Sequence, residues 1–242
     1  MKVQTHDVKS IPILSSDWSV EEFIPDEVTI PDVESSTQSG FLDLLGRDVF
    51  SEGDSQPLYE HLLERSSEFS AEFMTMMDFW LKDELRHYRA LRQIYHRVSG
   101  LSLDAIDQQN QARVHELEPI SFLIENEFTI LVGLMFDEMG SVWSYRRDIT
   151  EFYRHYGSGF ARVGHWVTQD EGRHFSNAAT LIQYLHLDKI HQIESLLQKI
   201  NQMESCLPYY PKTFFLDHAQ ERHRFPQNFN DQVIRRVLSR FQ

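Results

Sequence analysis

Apolar residues recur at helical spacing through most of the chain, and the pattern changes character near residue 37. Residues 1–36 carry Pro, Ser and acids (IPDEVTIPDVESST) with no sustained period, which predicts an extended arm held to the body by Trp18, Phe23 and Ile24. Beyond Ser39 the helical period dominates, and Gly and Pro become sparse punctuation. A first helix is expected over about 40–63, carrying Leu44, Leu45, Val49, Leu58, Leu62 and Leu63, with a kink where Gly53 and Pro57 interrupt it. Ser70 is a candidate N-cap for a second helix to about 98, with Phe73, Met76, Met77, Trp80 and Leu81 on one side and Ser99-Gly100 as its stop. A linker with a short helix leads to Pro119, which opens a long helix to about 155. The Gly157–Gly159 turn reverses the chain into a further helix over about 160–186. DKIHQIESLLQKINQ reads as a shorter helix and NFNDQVIRRVLSRF as a last one, on either side of an irregular LPYYPKTFFLDH. No stretch alternates as a strand does. The expected fold class is all-α: four long helices in two hairpins, with 1–36 as the arm and 37–242 as one helical domain.

Composition narrows the function. Apolar residues make up 41% and aromatics 12%, enough for a globular interior. Asp and Glu number 37 against 23 Lys and Arg, a net charge of −14, and a surface that acidic repels nucleic acid and anionic lipid. Cys206 is the single cysteine, which excludes an intramolecular disulfide and any Cys-based zinc or iron–sulfur site. The N-terminal residues lack the apolar run of a signal peptide, and no stretch reaches the roughly 18 consecutive apolar residues of a membrane span. A cytoplasmic protein is expected.

Two Glu-x-x-His pairs occur in the chain, in matching settings: Asp83-Glu84-Leu85-Arg86-His87-Tyr88 and Asp170-Glu171-Gly172-Arg173-His174-Phe175. Residues i and i+3 share a helix face, so each Glu and His can reach one ion. One such pair is commonplace, but two with the same flanks, each on the second helix of a hairpin, point to a dinuclear site. Such a site needs one further carboxylate from each remaining helix. In an antiparallel pair, residues at one height are equidistant from the turn. Around Gly157-Ser158 the level of Glu171 falls near residue 144, where no acid stands, and with the midpoint nearer Arg154-His155 it falls on Glu138, with Asp137 as the alternative. Around Glu68-Phe69 the same reasoning points to Glu52 or Asp54, with Glu60 third, and the apolar period through Leu45, Val49 and Tyr59 favours Glu52.

Four buried carboxylates without cations would repel one another and lose hydration, and two divalent ions cancel that charge. Carboxylate oxygen with imidazole suits iron or manganese. Asp83 and Asp170 point about 100° round the helix from the ligand Glu. Each is placed to accept a proton from the histidine of the opposing helix, or else to pair with Arg86 and Arg173 at the surface.

These motifs resemble the ferritin-like di-iron carboxylate superfamily, which includes ferritins, rubrerythrins, ribonucleotide reductase small subunits and acyl-carrier-protein desaturases. The likeness covers about 40–186. Asp170-Glu-Gly-Arg-His174 is similar to the second Glu-x-x-His of the desaturases. Phe136-Asp-Glu-Met-Gly-Ser141 is similar to their third ligand segment, which sets Ser141 as a candidate catalytic hydroxyl beside the oxygen pocket. Pro57-Leu-Tyr59 resembles a Pro-x-Tyr after their first ligand. Gly53-Asp54-Ser55-Gln56 resembles the Gly-Glu-Ser-Gln of rubrerythrins, where the acid after Gly binds metal. That resemblance ranks Asp54 first and Glu52 second. The implied ligand set is Asp54 (or Glu52), Glu84, His87, Glu138, Glu171 and His174, holding two iron ions, with manganese an option at either position. The chain departs from the family where the reductase radical tyrosine would stand, at Leu91, and in lacking the cysteines of a rubredoxin domain.

The resemblance implies a ferritin-like four-helix bundle with extra C-terminal helices and a dioxygen-activating oxidase. Its substrate would be apolar, small or carrier-bound, such as an acyl chain, and it would need an external electron donor and form a homodimer. Trp80, Met77, Phe136, Met135 and Phe128 are candidates for lining an apolar channel. Arg86, Arg146, Arg147, Arg222, Arg224, Arg235 and Arg236 are candidates for docking an acidic carrier. The alternative is a ferritin-like iron-binding, ferroxidase or peroxide-scavenging protein with no organic substrate.

Overall fold

The computed structural model describes residues 2–8, 11–24, 30–218 and 226–242. The chain is mostly helical, 74% helix against 5% strand, in keeping with an all-α class. The small strand content is nonetheless a correction. Lys2–Val8 (β1) and Ile11–Asp17 (β2) pair as an antiparallel hairpin with Val3 opposite Ser16 and Thr5 opposite Leu14. Ile11 and Ile13 alternate inward to the core, but the polar partner strand KVQTHDV hides the period. The hairpin docks through Asn177, whose side chain accepts from the Leu14 amide (2.9 Å) and donates to the Leu14 carbonyl (2.8 Å), completing the exposed edge as another strand would. A short helix, Val20–Phe23 (α1), follows, and Trp18, Phe23 and Ile24 are buried as expected.

The first long helix breaks rather than kinks. Ser35–Gly53 (α2) ends at Asp54, and Ser55–Glu64 (α3) restarts with Pro57 in its first turn, where a missing N–H is tolerated. Gly53 lets the Asn110 side chain pack directly on the backbone there, and a Cβ would push that amide aside. Ala71–Ser99 (α4) is capped by Ser70, which accepts from the Phe73 amide, and ends at Gly100 with φ +76°. Leu103–Gln111 (α5) is the linker helix. Pro119 opens only a 3₁₀ turn, and the third long helix, Glu127–Glu151 (α6), starts eight residues later at an Asn126–Thr129 capping box. Ser158–Leu185 (α7), Ile193–Cys206 (α8) and Phe229–Leu238 (α9) complete the chain. Among the described residues no helix is long and apolar enough to cross a membrane.

Helix α2 packs on α4, α4 on α7, and α7 on α6. The buried apolar residues form two separate clusters. One holds Leu58, Phe73–Trp80, Phe128–Phe136 and Phe175–Ile182; the other holds Phe41–Val49, Ala90–Val98, Tyr145–Tyr156 and Phe160–Val167. Helices α4, α6 and α7 therefore each pass from one apolar half to the other, and the α2–α3 pair does so across its break. At the crossings they carry acids or histidines: Glu52, Glu84 with His87, Glu138, and Glu171 with His174.

Candidate metal centre

These six side chains are at most 5% exposed. Their donor atoms fall into two overlapping groups, Glu52–Glu84–His87–Glu171 and Glu84–Glu138–Glu171–His174, each with all atoms within 4.8 Å of one another. Glu84 and Glu171 belong to both, so they stand between two positions. Glu52 with His87 closes one, and Glu138 with His174 closes the other.

Helix geometry explains the convergence. The i,i+3 spacing sets each Glu beside its own His, and His87 Nδ1 faces Glu52 (3.3 Å), Glu84 (3.5 Å) and Glu171 (3.5 Å). His174 Nδ1 faces Glu84 (3.0 Å), Glu171 (3.1 Å) and Glu138 (3.3 Å). One ring nitrogen cannot satisfy three carboxylates by donation. Both Glu84 oxygens are buried without a well-formed hydrogen bond. Buried carboxylates in that condition call for cations, and the oxygen-plus-imidazole donors fit a divalent metal pair.

The electrostatics follow from crowding. Burial and the neighbouring Glu52 charge push the Glu84 carboxyl up to about 8. Burial, then Glu138 and Glu84, raise Glu171 well above the carboxylate range. Burial works against ionised Glu52, but His87 and hydrogen bonds including the Tyr145 phenol (2.6 Å) outweigh it and hold Glu52 down at about 2. Burial opposes the charged forms of His87 and His174, yet the facing carboxylates raise both well above the usual imidazole value.

The far side of each imidazole faces the acid preceding the other helix's ligand Glu. His87 Nε2 donates to Asp170 (3.1 Å), and His174 Nε2 lies 3.5 Å from Asp83. Asp170 can only accept, so His87 Nε2 carries a proton, and Nδ1, on the carboxylate side, is the nitrogen that would give up its proton to a metal ion. Both acids are also paired with arginine, Asp83 with Arg86 (2.6 Å) and Asp170 with Arg173, but all four are buried rather than at the surface. The N-terminal hairpin reaches this layer too. The Trp18 indole donates to Asp170 (2.7 Å), as does the Ser16 hydroxyl, and Arg86 donates to the Ser16 carbonyl (3.1 Å). Asp170→Asn is expected to lower stability, by removing the charge paired with buried Arg173, and to weaken metal at the His87 position by about 10–100-fold, because the amide no longer fixes the tautomer. Competition against a chelator measures this, and unchanged affinity would remove Asp170 from the role.

Asp54 is the correction to the ligand set. It sits at the α2–α3 break, where its side chain turns away from the cluster. There it accepts from Arg113 Nε (2.7 Å) and Nη2 and from the Tyr210 hydroxyl (2.8 Å). The two candidates stand two residues apart, about 200° round a helix, and Glu52 is the one that faces inward. Asp54→Ala is expected to cost about 3 kcal/mol by leaving Arg113 largely buried and unpaired, with metal content unchanged. Denaturant unfolding and elemental analysis check both halves; lost metal would reinstate Asp54 as a ligand. Glu60 is exposed and accepts from Gln56, and Asp137 is buried on the other side of α6, accepting from the Leu216 amide.

A cavity of about 160 Å³ borders Glu52 and Glu171. Ser141 lines it, 3.4 Å from His218 Nε2, and so do Tyr145, Tyr210 and Phe214. The expected channel residues Trp80, Met77, Phe136, Met135 and Phe128 do not line it but pack in the apolar core. Of the expected docking arginines, Arg86 is buried on Asp83 and Arg147 is paired with Asp148, while Arg222 and Arg224 lie outside the described residues. Tyr145 lay within reach of sequence reasoning, two turns after Glu138 on the same face. Arg113, Tyr210 and His218 did not, since they come from a linker and an irregular tail with no period to place them. No protein-family model matches the chain, and no curated protein matches it.

Proposed function

We propose that the chain is a ferritin-like di-iron oxidase. It would bind two iron ions through Glu52, Glu84, His87, Glu138, Glu171 and His174 and use dioxygen to oxidise an organic molecule. The observation that carries this reading is the pair of overlapping donor groups sharing Glu84 and Glu171, next to a cavity that borders the same carboxylates. A store of iron needs the first feature only. An oxidase needs both.

Two iron ions so held supply the redox chemistry that reduces dioxygen. The overall reaction takes four electrons, two from the organic molecule and two from an external donor, giving a dehydrogenated product and two waters or a hydroxylated product and one water. The chain's own contribution is binding and exclusion. Asp170 and Asp83 keep the imidazole Nδ1 atoms turned inward, and the Tyr145 phenol fixes one oxygen of Glu52. Ser141 offers a hydroxyl on the cavity wall. The two apolar halves close above and below the ionisable layer and keep bulk water from it.

The test begins with iron-loaded, anaerobically reduced protein, to which oxygen is admitted in the presence of candidate organic substrates and a reductant. The expected result is two irons per chain, oxygen uptake and a product shifted by the mass of two hydrogens or one oxygen. A large cage with ferric mineral far above two irons per chain, and no organic product, overturns the reading in favour of iron storage.

A further inference from the structure

Besides its carboxylates the cavity is lined by three cations from different parts of the chain: Arg47 of α2, Arg113 of the linker and Lys212 of the tail. Two have acids of their own. Arg47 pairs with Asp43 (3.1 Å), and Arg113 grips both oxygens of Asp54. Lys212 has no carboxylate partner among the described residues. Of the acids on the wall, Asp217 accepts from Ser51 (2.6 Å), Asp48 acts on the Tyr145 phenol, and Glu52 and Glu171 belong to the donor cluster.

Lys212 is also held in place at a conformational cost. Lys212, Phe214 and Leu216 have φ of +60°, +70° and +65°, a left-handed conformation unfavourable for residues with a Cβ. The surroundings impose it. The Glu116 amide donates to the Pro211 carbonyl (3.0 Å), and His115 donates to the Lys212 carbonyl. The Phe214 amide donates to the Tyr210 hydroxyl (3.1 Å), itself anchored on Asp54, and the Leu216 amide donates to Asp137 (3.3 Å). The tail backbone is thereby fixed as a wall, and on it stands Lys212, which has no carboxylate partner among the described residues.

We infer that the cavity receives a compact organic carboxylic acid, its carboxylate on Lys212 and its carbon body beside Phe50 and Phe214, with the far end toward Glu52 and Glu171. At about 160 Å³ the space matches a single ring, since a cavity of about 150 Å³ holds benzene. A long acyl chain does not have the room, and Ser141, Ser144, Tyr145 and Tyr210 set hydroxyls among the apolar lining. The orientation of the reacting end rests on the di-iron reading; capture of the acid by Lys212 does not.

Calorimetric titration of the full chain with benzoate, benzamide and stearate tests the assignment, with metal content measured alongside. Benzoate is expected to bind, with benzamide at least about tenfold weaker because it lacks the charge and stearate at least about tenfold weaker because the cavity lacks the room. Lys212→Met should lose about tenfold in benzoate affinity and Lys212→Arg should recover most of it, at unchanged metal content. Equal affinity for benzamide, tighter binding of stearate, or a Lys212→Met protein that holds benzoate as the parent does would overturn the inference. Benzoate that depends on Lys212 in a protein holding no metal would sustain the acid pocket and sink the di-iron reading. Two metals per chain without benzoate affinity would do the reverse.

Discussion

Glu84→Gln is expected to act in opposite directions on the two forms of the protein, raising the melting temperature of the metal-free chain and removing metal from the loaded one. Glu84 is fully buried, neither oxygen is well hydrogen-bonded, and burial with the Glu52 charge pushes its carboxyl up to about 8. The unfolded chain ionises that carboxyl in water near its ordinary value, so at neutral pH folding must either protonate it or bury its charge. Glutamine has the same length and carries no charge, which eliminates that penalty. In the loaded protein the balance reverses. Glu84 belongs to both donor groups, and an amide is a poor replacement for an anionic oxygen between two cations. Metal content should fall from two per chain to one or none. Glu52→Gln, which touches one group only, should lose one ion and keep the other. Scanning calorimetry with chelator present and elemental analysis of the loaded protein read the two effects. Two ions retained by Glu84→Gln would show that it does not stand between the metal positions.

How much of this centre could be read in the sequence depends on how local each signal is. The twin Glu-x-x-His motifs are local, and the structure brings all four residues together. Glu138 took one step more, the equal-height rule for a hairpin, which works because the Phe152–Gly157 reversal between α6 and α7 is short. The first helix is where the two lines of reasoning parted. The apolar period favoured Glu52, whereas a four-residue resemblance favoured Asp54. Period won because it reports which way a side chain faces, while the motif overlooked the break that ends α2 at Gly53 and turns Asp54 toward Arg113. The crossed pairing of Asp170 with His87 and Asp83 with His174 also followed from helix geometry. The β-hairpin did not, because its outer strand is polar and its docking depends on one distant side chain, Asn177. Nor did the cavity wall, since a tail with three left-handed residues has no period from which its side-chain directions could be inferred.

Metal binding is expected to stabilise the protein more as pH rises, because the metal-free chain and the loaded chain respond to protons with opposite sign. Glu84 and Glu171 have folded values raised above their ordinary ones, by burial first and by like charges second. The stability such a group contributes is fully present below its unfolded value and is lost as pH climbs through the folded one. His87 and His174, raised by the facing carboxylates against the effect of burial, obey the same rule with an unfolded value about two units higher. Glu52 has the opposite sign, but its folded value of about 2 puts its loss below pH 5, outside the window that matters. From about pH 5 the two carboxylates, and above about pH 6.5 the two imidazoles as well, make the metal-free fold progressively less stable. Metal displaces those protons, so its affinity grows over the same range. At a free-metal concentration of a hundred times the dissociation constant, one ion adds about 2.7 kcal/mol, equivalent to about 5–10 °C in melting temperature for a chain of this size. The gap between anaerobic iron-loaded and chelated protein should therefore widen steadily through pH 5.5, 7.0 and 8.5. A gap that stays constant would mean that these carboxylates and imidazoles hold no extra protons in the metal-free fold, and the crowding that argues for two cations would be gone with them.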